Sequence, residues 1–333
     1  MKKQIFDINA KIIDCASVVG HKEHDGPIGD SFDLFDKTDK FNKNTWEKAE
    51  SEMQRLALSL ALKKAQMDES EIGALFAGDL LNQCIGSAYG LLDFDIPYFG
   101  LYGACSTAVE GIMLSSLLVS GGHADVCAAV TSSHFCTAEQ QYRTPLEYGG
   151  QRPQTAQWTV TGSGAFIIGN EYSEGVRITK AMPGIVIDKG INDAANMGAA
   201  MAPAALDTLT RFFKQSMTNP DDYDAIYTGD LGLEGSKILR ELMSIEGYAL
   251  GNNYKDCGSI IFDSDYQDVH SGGSGCGCSA VVLASYIIPK LRLGKIKNAL
   301  VIGTGAMMSP SSLKQGQSIP AIAHLIMLEG EVE

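Results

Sequence analysis

The segment Gly-Ala-Cys-Ser at residues 103–106 places a cysteine where the chain changes from one kind of element to another. The apolar run IPYFGLYG before it is typical of a strand, and STAVEGIMLSSLLVS after it is typical of a helix. Unpaired N–H groups at a helix N-terminus stabilise a thiolate and lower the pKa of the thiol. We therefore expect Cys105 to line a pocket, either as a nucleophile or as part of a binding site; the alternative is a buried cysteine that only packs.

A nucleophilic cysteine needs a base or a polarising partner, and two of the six histidines are candidates. His134 ends the strand-like run VCAAVTSSH, where a side chain projects beyond the edge of a parallel sheet. His270 precedes SGGSGCGCSA, in which Gly272 and Gly273 begin a glycine-rich turn that could form a nest of N–H groups for an anion. The sequence does not decide whether His134 lines a pocket. His270 is equally well explained as an exposed loop residue.

Two aspartates and one loop supply the other candidate residues. Asp79 and Asp230 each follow a glycine at the end of a predicted strand, where they either cap a helix or face a cleft. Arg143, Tyr148 and Trp158 lie in QYRTPLEYGGQRPQTAQWTVTGSGA, a long segment interrupted by proline and glycine. Loops of this length in compact domains are often functional, so these residues are candidates for contact with a ligand.

The amino-acid composition limits the binding partners and the cellular compartment that we expect. The chain has 333 residues, 45% of them hydrophobic, and a formal net charge of −14, which disfavours nucleic acids and anionic headgroups as general partners. No local cluster of basic residues stands out. Eight cysteines without a secretory signal indicate free thiols in a reducing compartment, and their spacing predicts no zinc site. No apolar run approaches the roughly 20 residues that span a bilayer, so the sequence predicts a soluble chain.

The order of the elements repeats along the chain. The helical segment NTWEKAESEMQRLALSLALKKAQ, an acidic turn, the strand ALFA and Asp79 have counterparts in PAALDTLTRFFKQSM, TNPDDYD, AIYT and Asp230. Helices that alternate with apolar strands indicate a mostly parallel sheet covered on both faces. The sequence thus predicts a duplicated α/β fold with a cleft between its halves, where Asp79 and Asp230 could converge.

Seven segments, spread from the first quarter of the chain to the last, carry a family resemblance: AGDLLNQ, GACST, TSSHFCTAEQQYRTPLEYGGQRPQTA, TVTGSGA, MGAAMAPAALDT, YTGDLG and GGSGCGCSAVV. In this order they resemble thiolase-like proteins, and among these the stage V sporulation protein AD (SpoVAD) family. The resemblance implies a thiolase-like α/β fold, with duplicated βαβαβαββ halves at residues 1–175 and 176–333 in five αβαβα layers.

The same resemblance implies a function and a location. Members of the family bind dipicolinic acid (pyridine-2,6-dicarboxylate), alone or as its calcium chelate, and work with other SpoVA membrane proteins. They act in a spore-forming bacterium, peripherally associated with the spore inner membrane, in uptake of dipicolinate into the developing spore and in its release at germination. No cofactor is implied, and the thiolase-like fold implies a homodimer.

The sequence departs from the related enzymes around the cysteine. Thiolases and ketoacyl synthases surround their cysteine with histidine and asparagine donors for a thioester oxygen. Here the corresponding strand end carries Asp230, and the thiolase motif Gly-His-Pro is absent. A carboxylate would repel a developing oxyanion unless it were protonated, so we expect no catalytic residue, and Cys105 is interpreted as a vestigial nucleophile.

A site for a flat dianion needs cationic or N–H donors and an apolar or aromatic face. The predicted ligand-binding residues are Cys105, His134, Asp79, Asp230, Arg143, Tyr148, Trp158, His270, Gly272 and Gly273. If the calcium chelate is bound, Asp79 or Asp230 would share its metal; no other metal site is predicted. Two other functions stay open, namely an active cysteine-dependent acyltransferase or condensing enzyme and a structural partner that clamps membrane proteins without a ligand.

Overall fold

The computed structural model describes residues 4–142, 152–170 and 174–330. The strands are β1 (Phe6–Val19), β2 (Leu34–Phe35), β3 (Ala74–Gly78), β4 (Tyr98–Leu101), β5 (Val126–Ser133), β6 (Trp158–Thr159), β7 (Gly162–Gly169), β8 (Val176–Met182), β9 (Ala225–Thr228), β10 (Tyr254–Asp256), β11 (Gly273–Ser274), β12 (Asn298–Ala306) and β13 (Ala321–Glu329). The helices are α1 (His21–His24), α2 (Trp46–Ala65), α3 (Ile85–Gly90), α4 (Thr107–Ser120), α5 (Phe135–Tyr142), α6 (Met197–Ser216), α7 (Gly232–Ile245), α8 (Cys257–Ile261), α9 (Cys276–Val282), α10 (Ile288–Arg292) and α11 (Pro310–Lys314).

Each half of the chain contributes five neighbouring strands to one hydrogen-bonded sheet. The order is β10-β9-β12-β13-β8-β1-β7-β5-β3-β4, with β2 paired to β1. In the first half β4, β3 and β5 are parallel, and β7 is antiparallel to β5 and β1. The second half repeats this pattern, with β10, β9 and β12 parallel and β13 antiparallel to β12 and β8. The halves join where β8 pairs antiparallel with β1.

The predicted duplication is confirmed, but the sheet is mixed and not mostly parallel. Both halves run βαβαβαββ, as β1-α2-β3-α3-β4-α4-β5-β7 and as β8-α6-β9-α7-β10-α9-β12-β13. Strands β5 and β7 are buried along their whole length, and β12 nearly so. A strand covered on both faces has an apolar sequence whichever way it runs, so the pattern did not reveal the antiparallel members.

The helices form three layers around the two halves of the sheet. Helix α2 packs on the first half, through β1, β5 and β7, and α6 packs on the second half, through β12 and β13. Helix α4 lies between the halves, because it contacts β3 and β5 on one side and β12 and β13 on the other. These contacts fit the αβαβα arrangement that the resemblance implies. Within the described residues, none of the helices has the length and apolar character needed to cross a membrane.

Candidate functional site

Cys105 lies in a short turn between β4 and α4, as the sequence predicts. Ala104 has φ +50°, a left-handed conformation that costs a residue with a Cβ about 1–3 kcal/mol. The Ser106 hydroxyl and backbone N–H both donate to the Gly103 carbonyl, at 2.6 and 3.1 Å, and hold the turn in place. The thiol is therefore fixed in position by the backbone that precedes α4.

Strand β12 of the second half packs in close contact with this turn and with the start of α4. A Cβ at Gly305 would lie 2.4 Å from the Gly103 carbonyl oxygen, and one at Gly303 would lie 2.8 Å from the Cβ of Val109. Only glycine permits an approach this close. The contact places Cys105 at the boundary between the two halves.

Asp230, from the second half, faces Cys105 across this boundary. Its fully buried carboxyl group accepts hydrogen bonds from Thr304 Oγ1 at 2.7 Å, from Ser274 Oγ at 3.0 Å and from the Gly275 N–H at 2.9 Å. The charge of Asp230 acts on the Cys105 thiol and raises its pKa. Three donors thus converge on one buried carboxyl group next to the thiol.

The glycine-rich turn that was predicted to hold an anion binds the Asp230 carboxyl group instead. Gly275, with φ +102°, donates its N–H to Asp230, and the Gly272 N–H donates to the Val269 carbonyl at 3.1 Å. Gly273 belongs to β11, which pairs with β6. The N–H groups of Gly275 and Gly272 are therefore engaged by Asp230 and Val269 and are not free for a ligand.

The electrostatic environment of Cys105 disfavours its thiolate. Burial raises the pKa of the Cys105 thiol well above its usual value, and the charge of Asp230 raises this pKa further. The expectation that the helix N-terminus lowers this pKa is therefore wrong, because a helix dipole contributes only about 0.3–1 kcal/mol. Burial also raises the pKa of Asp230, against the effect of its hydrogen bonds.

A narrow pocket of about 50 Å³ opens over Cys105 and Ser274. Tyr142 donates its hydroxyl to the Leu80 carbonyl, and its oxygen lies 2.7 Å from the hydroxyl oxygen of Tyr102, so the two tyrosines share a hydrogen bond at the rim. Apolar side chains from both halves line the rest, together with the buried Glu139. Among the described lining residues there is no lysine, arginine or histidine.

His134 does not point a free nitrogen into this pocket. Its Nδ1 accepts the N–H of Cys136 at 3.1 Å, and its Nε2 lies 2.8 Å from the Asp39 carbonyl oxygen, to which it donates. Burial lowers the pKa of His134, which favours the neutral ring that these two bonds require. His134 joins the start of α5 to the N-terminal region.

Asp79 occupies the place in the first half that Asp230 occupies in the second, but the two do not converge. Its Oδ1 accepts the Leu81 N–H at 2.8 Å, and its Oδ2 accepts the N–H and hydroxyl of Ser87 at 2.7 and 2.6 Å. All of these partners belong to the loop and helix that follow β3. The structure thus favours the capping alternative for Asp79 and places it outside the Cys105 pocket.

Asp79 belongs instead to a buried polar group that the sequence analysis missed. We call it the Glu50 cluster, which consists of Glu50, Gln54, Asp79, Ser87, Ser132 and Thr137. Glu50 accepts hydrogen bonds from Ser132 Oγ at 3.0 Å and Thr137 Oγ1 at 2.6 Å. Burial, and then the charge of Asp79, raise the pKa of Glu50 to about 8. A signal was present, because Glu50 and Gln54 fall at helical spacing on the same side of α2 as Met53.

The other predicted residues lie apart from Cys105 or outside the described residues. Trp158 stacks on Phe135 with ring centroids 3.6 Å apart, while its neighbour Thr159 lines the pocket. His270 lies 3.4 Å from a carboxylate oxygen of Asp268 and does not line the pocket. Arg143 and Tyr148 lie in residues 143–151, which the structure does not describe. Ligand binding by these residues stays a prediction.

Comparison with known families gives a match over nearly the whole chain. The sequence profile described as stage V sporulation protein AD (SpoVAD) matches residues 2–329. The chain is 44% identical over 328 residues to the stage V sporulation protein AD of Bacillus subtilis (strain 168), an alignment that covers 98% of this chain and 96% of that protein.

Solved structures with the same fold are enzymes of low sequence identity. Cerulenin-bound OleA of Xanthomonas campestris superposes with a TM-score of 0.61 at 12% identity over 97% of each chain. The 3-oxoacyl-[acyl-carrier-protein] synthase III of Aquifex aeolicus VF5 superposes with a TM-score of 0.58 at 10% identity over 96% of this chain and 99% of that one. These likenesses establish the thiolase-like fold and leave the activity to the residues of the site.

Proposed function

Because the chain belongs to the stage V sporulation protein AD family, we propose that it binds dipicolinate and does not catalyse acyl transfer. One observation carries the second part of this proposal, namely the buried Asp230 carboxyl group behind the Cys105 thiol, whose charge raises the pKa of that thiol. Acyl transfer needs donors that stabilise an oxyanion, and a carboxylate repels that charge. The raised pKa of Cys105 also keeps its nucleophilic thiolate scarce at neutral pH.

The ligand that suits this pocket is the calcium chelate of dipicolinate. The described lining offers hydroxyl groups from Tyr102, Thr159 and Ser274 and a carboxyl group from Glu139, but no cation to neutralise a dianion. In the chelate, calcium neutralises the two carboxylates, and hydroxyl and carboxylate oxygens are the ligands that calcium prefers. Among the described residues no cluster of three metal-ligating side chains would hold calcium alone, so the ligand would bring its own ion. Because the pocket is narrow, binding of an aromatic ring separates Tyr102 from Tyr142.

The family identity supports a role in sporulation, and we propose the remaining steps on that basis. The protein takes part in uptake of dipicolinate into the developing spore and in its release at germination. It does so at the spore inner membrane together with other SpoVA membrane proteins. Its own part is to bind the ligand at the boundary between the two halves.

Titration calorimetry with dipicolinate tests the binding proposal. We expect the wild type to bind the ligand more tightly when equimolar calcium is present, since the chelate meets no uncompensated charge in the pocket. Cys105→Ala removes a pocket contact and is expected to weaken binding about tenfold, in line with the loss of one hydrogen-bonding group. Cys136→Ala, a half-buried cysteine outside the pocket lining, is the matched control and should leave the affinity unchanged.

Two results would contradict the proposed function. The first is no heat of binding with dipicolinate, whether or not calcium is added. The second is formation of an acyl-enzyme at Cys105 with an acyl thioester, detected by intact mass, followed by turnover. If both cysteine variants bind as tightly as the wild type, the ligand site is not the Cys105 pocket.

We also propose that two copies of the chain pair through strand β4. This strand ends the sheet, and in the described part of the chain its outer edge has no partner strand. Its side chains Tyr98 and Phe99 are 40% and 51% exposed, which leaves a flat aromatic edge of the kind that monomers normally protect. Nearby, Glu110 Oε2 is buried without a hydrogen-bond partner among the described residues.

Phe99→Asp is expected to shift the protein from dimer to monomer, with a dimer dissociation constant at least about 100-fold weaker, because it places a charge in an apolar edge. Light scattering coupled to size exclusion measures the mass directly. Tyr266→Asp, which changes a residue that is 89% exposed in a loop, is the control and should stay dimeric. A monomeric wild type, or a dimeric Phe99→Asp variant, would contradict pairing at β4.

A further inference from the structure

Acidic and basic residues are distributed unevenly along the sequence. From residue 269 to residue 328 there is no aspartate or glutamate, although the formal net charge of the chain is −14. The basic residues in the middle of this stretch are Lys290, Arg292, Lys295 and Lys297. The expectation that the chain has no basic cluster is therefore wrong, because the strong overall negative charge obscures a short local run.

The structure gathers these residues on the surface at the end of α10. Gly294, with φ +64°, turns the chain back so that the Lys295 N–H donates to the Lys290 carbonyl at 2.9 Å. Leu293 lies at this turn and is 69% exposed. A large apolar side chain is thus presented to solvent between the basic residues Arg292 and Lys295.

Tyr286 joins one more lysine to this surface. It lies in the π-helical turn between α9 and α10, where the positive charges of Lys290 and Lys255 both act on its hydroxyl group. The Nζ of Lys290 lies 3.6 Å from the centroid of the Tyr286 ring. Burial raises the pKa of Tyr286, but the two lysines outweigh this effect and lower it. We define the basic patch as Lys255, Lys290, Arg292, Lys295, Lys297 and Leu293.

Within the part of the chain that the structure describes, most cations of the basic patch form no ion pair. Arg292 lies 3.3 Å from a carboxylate oxygen of Asp14. Asp224 accepts the backbone N–H of Lys297 at 2.6 Å, and not its ammonium group. In the described ranges no carboxylate forms an ion pair with Lys290, Lys295 or Lys297. Lys295 and Lys297 are also exposed, so their ammonium groups are available to an external anion.

We propose that the basic patch docks the protein on an anionic lipid surface, with Leu293 among the headgroups and the lysines on the lipid phosphates. The inference rests on the proposed function in that it supplies the contact with the spore inner membrane, but it does not depend on dipicolinate. Charge complementarity identifies the occupant. A chain of formal net charge −14 is repelled by anionic lipid at most orientations, and the orientation that presents the basic patch is the favourable one.

The local patch acts independently of the distant carboxylates. At physiological ionic strength, interactions between exposed charges are screened over about 8 Å, so the lysines nearest the bilayer determine the attraction. Each lysine or arginine close to an anionic membrane strengthens binding about fivefold. The insertion of Leu293 adds an apolar contribution that does not depend on salt.

Co-sedimentation with lipid vesicles tests the proposal. We expect the wild type to bind vesicles of phosphatidylcholine and phosphatidylglycerol, less so at high salt, and not to bind phosphatidylcholine alone. The double variant Lys295→Glu/Lys297→Glu should bind at least about tenfold more weakly, and Leu293→Ser severalfold more weakly. The matched controls are Lys189→Glu/Lys237→Glu, with the same change in net charge at exposed sites elsewhere, and Leu233→Ser, at a leucine that is 45% exposed.

Equal binding to neutral and anionic vesicles would overturn the proposal, and so would equal losses in the patch and control variants. A wild type that binds neither kind of vesicle would also overturn it and would favour an acidic protein as the occupant of the patch. Calorimetry on the same variants separates this inference from the proposed function. The patch variants should keep the dipicolinate affinity of the wild type, and a wild type that binds vesicles but no dipicolinate contradicts only the proposed function.

Discussion

Replacement of Asp230 by alanine is expected to lower the free energy of unfolding by about 3–5 kcal/mol, since it leaves several buried donors without an acceptor. These donors are the N–H of Gly275 and the hydroxyls of Ser274 and Thr304. They come from two segments, the turn at Ser274 and Gly275 before α9 and strand β12, so the loss also loosens the contact of these segments with the loop after β9. Urea denaturation at neutral pH measures the change.

The conservative variant Asp230→Asn keeps the size and shape of the side chain and tests the effect of its charge on Cys105. It keeps an acceptor for Thr304 but removes the negative charge beside Cys105, so the pKa of the thiol should fall. We expect alkylation of Cys105 by iodoacetamide to become about tenfold faster, which corresponds to a pKa decrease of about one unit. Peptide mass spectrometry assigns the label to this cysteine.

Ser274→Ala is a control that should change the alkylation rate of Cys105 in the opposite direction. The Ser274 hydroxyl lowers the pKa of Cys105, so its removal should slow alkylation. If Asp230→Asn leaves the alkylation rate of Cys105 unchanged, the carboxyl group does not control the thiol, and the argument against acyl transfer loses its main support. If both variants accelerate alkylation, the change reflects a loosened fold and not electrostatics.

Local sequence was sufficient to predict the position of Cys105 but not its reactivity. The strand, the small residues at the turn and the helix are contiguous, so their order could be read directly from the chain. The pKa of the thiol depends on burial and on Asp230, which reaches Cys105 only through the packing of one half on the other. The sequence predicts the helix α4, and therefore its dipole. It does not predict the burial of Cys105 or the nearby charge of Asp230, which have larger effects on the pKa of the thiol.

The repeat predicted equivalent positions for Asp79 and Asp230 but not their different contacts. Both follow the corresponding strand of their half, β3 or β9. Asp79 bonds to the segment that directly follows it, which is a local interaction. Asp230 bonds to Gly275 and Thr304, which lie 45 and 74 residues away along the chain. Long-range partners of this kind cannot be inferred from one sequence without its fold.

Glu50→Gln is expected to remove a large part of the pH dependence of stability. Glu50 is fully buried in α2, and burial and the charge of Asp79 raise its pKa from 4.5 to about 8 in the folded protein. In the unfolded chain the carboxyl group titrates near its ordinary value. Between about pH 5 and pH 8 the folded state therefore keeps a proton that the unfolded state has lost.

The sign of the effect follows from this difference in bound protons. The contribution of Glu50 is fully present below the unfolded pKa and is lost as the pH rises through the folded pKa, so stability falls with increasing pH. At about 1.4 kcal/mol for each unit of pKa shift, the wild type loses of the order of 3–5 kcal/mol across this range. Glutamine does not titrate, so the variant should lose much less.

The hydrogen bonds of the Glu50 cluster make glutamine a close substitute for protonated Glu50. The side-chain carbonyl of glutamine accepts from Ser132, as Oε1 does now. Its amide group donates to Thr137 Oγ1, which in turn donates to the His134 carbonyl at 3.0 Å. Glu50→Gln should therefore match the wild type near pH 5 and exceed its stability by about 3 kcal/mol or more at pH 8.

Denaturation in urea at several pH values between 5 and 8 measures how the free energy of unfolding changes with pH in the wild type and in Glu50→Gln. Glu241→Gln, which changes an exposed acid in α7, away from the Glu50 cluster, is the control and should keep the slope of the wild type. Asp256 and Glu23, whose pKa values burial raises to about 7 and about 8, contribute slopes of the same sign to every variant and cancel in the comparison. A Glu50→Gln variant that is destabilised equally at pH 5 and pH 8 would mean that Glu50 is already ionised in the folded protein. The Glu50 cluster would then hold two negative charges, Glu50 and Asp79, without a compensating cation among its members.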